Sequence, residues 1–279
     1  MTEHNPTSPT LVLGGTGKTG RRVAQRLTGL DLPVRIGTRA GGVPFDWEDP
    51  QTWEPALDGM KAVYVSYYPD LAAPGAAAAI ASFAELAVDR GAQRLVMLSG
   101  RGEMKARTCE KALTASGADA TILRSSWFSQ NFSESYLLAP VLDGRVFLPA
   151  GTTPEPFVDA DDIADVAVAA LTRPGHVGEV YELTGPRALT FAEAVAAVGD
   201  AAGREIDYVE VSAADYADAL AAEQVPGDVI ELLMYLFTIV LDGRNAAPSD
   251  GVHRALGRAP VDFTEFATHT AATGIWNVG

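Results

Sequence analysis

Short apolar runs alternate with helix-length segments through the first half of the chain. The segments between them include residues 75–90 and 103–116. The runs occupy residues 11–13, 34–36, 43–45, 62–65, 95–98 and 121–123. Repeated strand-then-helix order predicts an α/β fold, a doubly wound parallel sheet with helices on both faces. Ligands of such sheets bind beside the carboxyl ends of the strands, so we expect the functional residues directly after each run.

The pattern loosens past residue 150. Residues 157–171 predict a short strand and then a helix, and 179–183 and 206–211 predict further strands. Thr190 and Glu193 have the spacing of a capping box at the start of another helix. An apolar helix is predicted at 232–241. These elements predict a smaller C-terminal α/β cap, interleaved with the last elements of the main sheet.

A glycine-rich stretch, "LVLGGTGKTG" at residues 11–20, follows the first run. A triphosphate-binding P-loop would need a glycine at position 12, which is Val12. The dinucleotide-binding spacing Gly-x-Gly-x-x-Gly is satisfied, and the stretch lies between a predicted strand and a predicted helix. We therefore expect a Rossmann-type domain at residues 10–150, preceded by a flexible tail at 1–9 and followed by the interleaved cap at 151–279. The expected contacts to the cofactor phosphates come from Gly14, Thr16, Gly17, Lys18, Thr19 and Gly20.

Composition limits the classes of function. The chain has 279 residues, one cysteine and four scattered histidines, so no metal site is expected. A net charge of −15 argues against an extended nucleic-acid surface. The longest apolar run is too short to span a bilayer, and the polar start lacks a signal pattern, so we expect a cytoplasmic protein without a membrane partner. The expected partner is a small-molecule substrate, and the oligomeric state is left open.

The cofactor choice depends on the end of the second strand. NAD-binding proteins usually carry an acidic residue there for the ribose hydroxyls. This chain has Thr38 and Arg39 instead, and a guanidinium pairs with a 2′-phosphate through charge-assisted hydrogen bonds. Arg35 is a weaker candidate, because strand alternation can point it to solvent. The sequence therefore predicts NADPH, with Asp46 near the adenine.

The usual general acid of short-chain dehydrogenases is missing. None of the eight tyrosines has a lysine four residues later, so the Tyr-x-x-x-Lys pair is absent. The stretches "GGTGKTGRRVAQRL", "LVMLSGRGE", "CEKALTASGADATILRSSWFSQNFSE" and "PFVDADDIADVAVAALT" resemble the NmrA-like group of atypical short-chain dehydrogenases. "VPFDWEDPQTW", "ILRSSWFSQNF" and "LDGRNAAPSDGVHRALGRAPVDFTEFA" are similar to its ergot-alkaloid reductase branch, the festuclavine and agroclavine dehydrogenases and their bacterial relatives. One departure is Ser125 or Ser126, where the group commonly has proline.

The resemblance implies an NADPH-dependent reductase of an imine or iminium. The wider group also contains quinone reductases and regulators that bind NADP without turning it over. We expect hydride transfer to an imine, iminium, quinone or enone in secondary metabolism, because hydride addition to an iminium or a quinone needs little help from a protein acid. A non-catalytic NADP sensor and a ketoreductase with a relocated acid remain alternatives.

The residues after the later strands give the candidate site. Ser66 is expected near the cofactor, and Ser99, Gly100 and Ser125 are expected to contact it too. Candidate catalytic residues are Ser99, Tyr67, Tyr68 and Lys105. Helix capping, packing or solvation are the competing roles for these four. Trp127, Phe128 and Asn131 are expected to bind the substrate, with a core position as the alternative for Phe128.

Overall fold

The computed structural model describes residues 9–39 and 41–278, which form two compact units. The predicted tail at 1–9 lies, apart from Pro9, outside the described residues. The first unit comprises the chain up to Ser125 together with Ala160–Leu183 and Asp250–Arg258. The second comprises Ser126–Asp159, Thr184–Ser249 and the chain from Ala259 onward. The first boundary therefore follows Ser125, where the sixth strand ends, whereas the sequence predicts it near residue 150.

The strands of the described residues are short and mostly apolar. They are β1 (Thr10–Leu13), β2 (Val34–Thr38), β3 (Val43–Pro44), β4 (Ala62–Val65), β5 (Arg94–Gly100), β6 (Asp119–Ser125), β7 (Arg145–Leu148), β8 (Val180–Leu183) and β9 (Asp207–Glu210). The α-helices are α1 (Lys18–Gly29), α2 (Trp53–Leu57), α3 (Ala76–Asp89), α4 (Met104–Ala115), α5 (Asn131–Glu134), α6 (Leu138–Asp143), α7 (Ala160–Thr172), α8 (Phe191–Ala202), α9 (Ala213–Ala222), α10 (Gly227–Tyr235), α11 (Gly251–Leu256) and α12 (Phe263–Ala272).

The first unit contains a seven-stranded sheet of order β3-β2-β1-β4-β5-β6-β8. All of its pairings are parallel. Every residue of β1 and β4 is buried, as expected for central strands covered on both faces. The strand order reverses at the β1–β4 pair, and this switch point is where such sheets bind ligands. The predicted doubly wound α/β fold is confirmed.

Ion pairs hold α1 against α7 within this unit. Arg26 donates to Asp165 Oδ1 at 2.6 Å and to Asp161 Oδ1 at 2.7 Å. Arg258 pairs with Asp162 Oδ1 at 2.6 Å, and the side chain of Asp162 is 0% exposed. Burial opposes charging of Asp161, but hydrogen bonds and the charges of the arginines hold its pKa below its ordinary value. The Arg26 pairs hold α1, the helix that starts at the glycine turn, against α7.

The second unit has its own core and a small sheet. β7 and β9 pair in parallel, and α8 begins with the predicted capping box of Thr190 and Glu193. The short strand predicted at the start of residues 157–171 is wrong, because Val158 makes only an isolated bridge to Phe128. The predicted helix at 232–241 is instead the end of α10 followed by a π-helical turn, Leu236–Val240. The buried aromatic core of the second unit contains Phe132, Phe157, Phe191, Phe263 and Trp276.

None of the helices within the described residues is long and apolar enough to cross a membrane.

We expect Arg258→Met to lower the free energy of unfolding by about 1.5–3 kcal/mol, the range for a hydrogen bond to a charged group. The loss arises because the Asp162 carboxylate is buried and loses this donor. The control is Arg90→Met, whose ion pair with Glu54 is 2.6 Å long but 47% and 55% exposed. That variant should change stability by less than about 1 kcal/mol. Urea unfolding measures both, and equal losses would contradict the importance of the buried pair.

Candidate functional site

The glycine turn joins β1 to α1 at the switch point. Gly14 has a left-handed backbone with φ +64°, and the Gly17 amide donates to the Gly14 carbonyl at 2.8 Å. α1 then starts at Lys18, with Gly17 as its N-cap and no side chain capping it. The amides of a first helical turn have no acceptor within the helix, so they favour an anion in front of them.

Two positions in this turn have no room for a side chain. A Cβ on Gly20 would lie 2.2 Å from the Gly14 carbonyl oxygen, and a Cβ on Gly15 would lie 2.5 Å from Ile36 Cγ2. The turn therefore packs tightly against its own helix and against β2. This is the backbone cradle that a dinucleotide pyrophosphate requires, and the residues present fit that group.

The loop after β4 brings three predicted residues to the same sheet edge. Ser66 lies beside the turn, since a Cβ on Gly14 would be 3.4 Å from Ser66 Oγ. Tyr67 is half-buried and packs on Trp47, with ring centroids 4.8 Å apart, and burial raises its pKa. Tyr68 is 60% exposed. Its ring lies beneath Arg39, whose Cζ is 4.3 Å from the ring centroid.

The two arginines of the second strand have different surroundings. Arg35 Nη1 donates to the carbonyls of Asp58, at 2.6 Å, and Ala56, at 3.0 Å. Its guanidinium therefore binds the carbonyl groups at the end of α2. Arg39 follows Thr38, the last residue of β2, and is exposed. Asp46 closes a turn, because its Oδ1 accepts from the Glu48 amide at 3.0 Å. Arg39 is therefore the better placed of the two arginines for a 2′-phosphate.

Ser99 is turned toward α4. Its hydroxyl donates to Glu110 Oε1 at 2.7 Å, and both residues are buried. Arg124 on β6 forms a bidentate pair with the same carboxylate, at 2.9 and 2.6 Å. Hydrogen bonding to Glu110 and the charges of its carboxylate partners raise the pKa of Arg124. The sequence did not identify Glu110 or Arg124 as part of this group.

A half-buried carboxyl that the sequence did not identify, that of Glu103, lies just after β5. Glu103 folds back over Gly100, where a Cβ would be 1.8 Å from Glu103 Oε1. Burial raises the pKa of Glu103 to about 8, and the charge of Asp70 adds to the effect. Burial also raises the pKa of Asp70, against the Ala72 amide and the charge of Lys105. Lys105 itself is exposed and lines a cavity of about 390 Å³ with Cys109 and Leu71.

Ser125 and Ser126 are buried serines at the end of β6. Their hydroxyl oxygens have no hydrogen-bond partner within the part of the chain that the structure describes. Ser125 pairs with Gly100 in the β5–β6 register, which puts it at the carboxyl edge of the sheet. A buried hydroxyl without a partner is costly unless a ligand satisfies it. Ser125 therefore fits the predicted contact with the cofactor.

The predicted substrate residues lie in the second unit. Trp127 is half-buried, with its ring centroid 4.9 Å from Phe237 and 5.2 Å from Phe191. The Phe128 carbonyl accepts from the Asn131 amide at 3.0 Å, where α5 begins. Phe128 is also only half-buried. Substrate binding by these three residues stays a prediction.

Known proteins are similar to this chain in sequence and in fold. No family model matches the chain. The uncharacterized oxidoreductase YesF of Bacillus subtilis is 33% identical, over 96% of this chain and 98% of its own. The NAD(P)H azoreductase of Xenophilus azovorans is 32% identical, over 95% and 99%. Agroclavine dehydrogenase of Claviceps fusiformis is 28% identical, over 92% and 96%.

The solved triphenylmethane reductase of Citrobacter sp. has the same fold, with a TM-score of 0.74 at 19% identity, over 95% of this chain and 99% of its own. The chain belongs to the NmrA-like family of atypical short-chain dehydrogenases/reductases. The predicted resemblance is confirmed. Within this NmrA-like chain the glycine turn, Arg39, Ser66 and Ser125 occupy one unit and the same sheet edge, as the sequence predicts for a cofactor site.

The pKa of Glu103 predicts a pH dependence of stability. The folded carboxyl holds its proton up to about pH 8, whereas its ordinary pKa is 4.5. Between these values the folded state binds the proton more tightly, so the free energy of unfolding falls as pH rises. We expect Glu103→Gln to reduce this fall by more than about 1 kcal/mol between pH 5 and 8, because a pKa difference of one corresponds to about 1.4 kcal/mol.

Chemical denaturation at a series of pH values measures this difference. Glu85→Gln, on the exposed side of α3, is the matched control and should leave the pH dependence unchanged. A Glu103→Gln profile parallel to that of the unaltered protein would show that this carboxyl is ionised at neutral pH.

Proposed function

We propose that this NAD(P)H-dependent oxidoreductase uses NADPH to reduce an electrophilic small molecule, an imine or iminium, a quinone or an enone, in secondary metabolism. The names of two relatives support the class of reaction, since one is an NAD(P)H azoreductase and another an agroclavine dehydrogenase. Both span nearly the whole chain. The substrate class rests on the chain's own residues.

The observation that carries the proposal is the hydrogen bond of Ser99. The Ser99 hydroxyl donates this hydrogen bond to Glu110, a carboxylate that is also paired with Arg124. A hydroxyl held in this way is a poor proton donor toward a substrate. Together with the missing Tyr-x-x-x-Lys pair, this favours acceptors that take up hydride without a proton from the protein.

The first unit supplies the groups that would hold NADPH. The amides at the start of α1 and the glycine turn suit the pyrophosphate, and Arg39 suits the 2′-phosphate. The orphaned hydroxyl of Ser125 suits the carboxamide end of the nicotinamide. When bound, NADPH supplies the hydride. The chain's own residues orient the two reactants and exclude water, which is where the rate enhancement of such an enzyme arises.

Charge balance explains why some acceptors need no acid. Hydride addition to an iminium carbon gives a neutral amine, and addition to a quinone gives a delocalised phenolate. A simple ketone would give an alkoxide, for which general acid catalysis is typically worth about 10²–10⁴-fold. In this proposal the chain's residues orient the reactants and donate no proton in the hydride step.

One observation favours the ketoreductase alternative. Burial raises the pKa of Glu103 to about 8, so this carboxyl holds a proton near neutral pH. Glu103 is therefore the group that would serve as a relocated acid. Its involvement would appear as a ketone reduction rate that falls as pH rises through about 8.

Arg39 tests the cofactor choice. We expect Arg39→Ala to weaken NADPH binding about tenfold or more, since hydrogen bonds to charged groups are worth about 1.5–3 kcal/mol. NADH binding should stay nearly unchanged because it has no 2′-phosphate. Calorimetric titration of both cofactors measures the effect, with Arg35→Ala as the control arginine. Equal losses for NADPH and NADH would show that Arg39 holds structure only.

The acceptor class is tested by following NADPH oxidation with matched iminium ions, quinones, enones and ketones. N-alkylated iminium ions and quinones should turn over far faster than ketones, and the iminium rate should be flat across neutral pH because its charge is permanent. Efficient ketone reduction that Glu103→Gln abolishes would support the relocated acid instead. Tight NADPH binding with no turnover of any acceptor would favour a sensor.

A further inference from the structure

Tyr68 and Arg39 form a contact that the reaction does not require. Arg39 follows β2 and Tyr68 follows β4, and their side chains meet with the guanidinium carbon 4.3 Å from the ring centroid. This separation is well inside the limit of about 6 Å for a cation–π interaction. Within the described part of the chain, Arg39 has no carboxylate partner. Its side chain instead contacts the ring of Tyr68.

The neighbouring residues explain why Tyr68 is available for this role. Tyr67 packs inward on Trp47, and the Trp47 indole donates to the Ser66 carbonyl at 3.1 Å. These contacts anchor the start of the loop, while Tyr68 is 60% exposed. An exposed aromatic ring that is anchored by its neighbours offers a fixed platform for a long, flexible side chain.

A guanidinium that stacks on a ring keeps its N–H donors available for hydrogen bonds. The N–H donors of arginine lie in the plane of the group, whereas a guanidinium that stacks on a ring contacts it with its face. A stacked Arg39 can therefore still form in-plane hydrogen bonds with a phosphate. Ordering the side chain beforehand also reduces the rotamer entropy that binding would otherwise cost.

We propose that Tyr68 positions Arg39 by stacking beneath its guanidinium, and that this contact strengthens the preference of the site for a cofactor with a 2′-phosphate. The inference rests on the proposed use of NADPH. It gives Tyr68 a positioning role through its ring rather than a catalytic role through its hydroxyl.

The expected size of the effect follows from the exposure of the pair. Exposed cation–π pairs contribute about 0.5–1 kcal/mol, which corresponds to about two- to fivefold in a dissociation constant. Tyr68→Leu and Tyr68→Gln should therefore weaken NADPH binding about two- to fivefold and leave NADH binding unchanged. Tyr68→Phe keeps the ring and should bind both cofactors like the unaltered protein.

The decisive experiment is a double-mutant cycle with Arg39→Ala, in which calorimetry gives the dissociation constants of NADPH and NADH for each variant. Thermal melting checks that every variant is folded, and the use of two ring-free variants guards against the failure of one. Replacement of Tyr68 should have no effect on NADPH binding once Arg39 is absent.

Three results would overturn the inference: equal weakening of NADPH and NADH binding, an effect of Tyr68 that persists without Arg39, or a Tyr68→Phe variant as weak as Tyr68→Leu. A different result would contradict the proposed use of NADPH. If Arg39→Ala itself leaves NADPH binding intact, the cofactor assignment is wrong. If only Arg39→Ala removes the preference for NADPH, the assignment stands and the role of Tyr68 is wrong.

Discussion

The close approach of Gly20 to the Gly14 carbonyl is the constraint on which the rest of the first unit depends. With 2.2 Å between that oxygen and any added Cβ, only glycine lets α1 begin so close to the end of β1. The same helix carries Arg22 and Arg26, which pair with Asp161 on α7. The turn therefore fixes at once the direction of α1, the position of its first amides and the packing of two helices on the sheet. A side chain at Gly20 would displace all three.

Two carboxyls near the start and in the middle of α4, one half-buried and one buried, differ in how their charge is compensated. Glu110 is neutralised by a bidentate arginine and accepts the Ser99 hydroxyl as well, so it acts as a fixed anchor between α4, β5 and β6. Glu103, one residue before α4, folds over Gly100 beside the charge of Asp70, and burial raises its pKa to about 8. A compensated pair stabilises geometry, whereas an uncompensated carboxyl holds a proton. The proposed reaction depends on the fixed geometry around Glu110 and does not use the proton of Glu103.

Local patterns predicted most of the fold, because strand runs, the glycine spacing and the Thr190 capping box each depend on neighbours within a few residues. The sequence could not predict the direction of Ser99, which is set by a carboxylate 11 residues away and an arginine on another strand. The raised pKa of Glu103 likewise depends on Asp70 from a different loop. Phe157 and Val158 have the apolar character of a strand, yet Val158 makes only one isolated bridge. Residues 232–241 have a helical pattern of apolar residues. The Leu241 amide, however, donates to the Leu236 carbonyl at 2.9 Å, five residues back, and apolar spacing does not predict this π-helical bond.

We propose that hydride transfer in this family member proceeds without a proton from the protein. The most direct test combines hydrogen isotopes in single-turnover reduction of a quinone, whose phenolate product a protein acid could protonate. Deuterium at the transferred position of NADPH should slow the reaction, because that bond breaks in the measured step. Deuterated solvent should leave the rate unchanged at equivalent pH, because no proton moves in the same step. A solvent isotope effect on the step that also shows the cofactor isotope effect would contradict the account and reveal a protein acid at work.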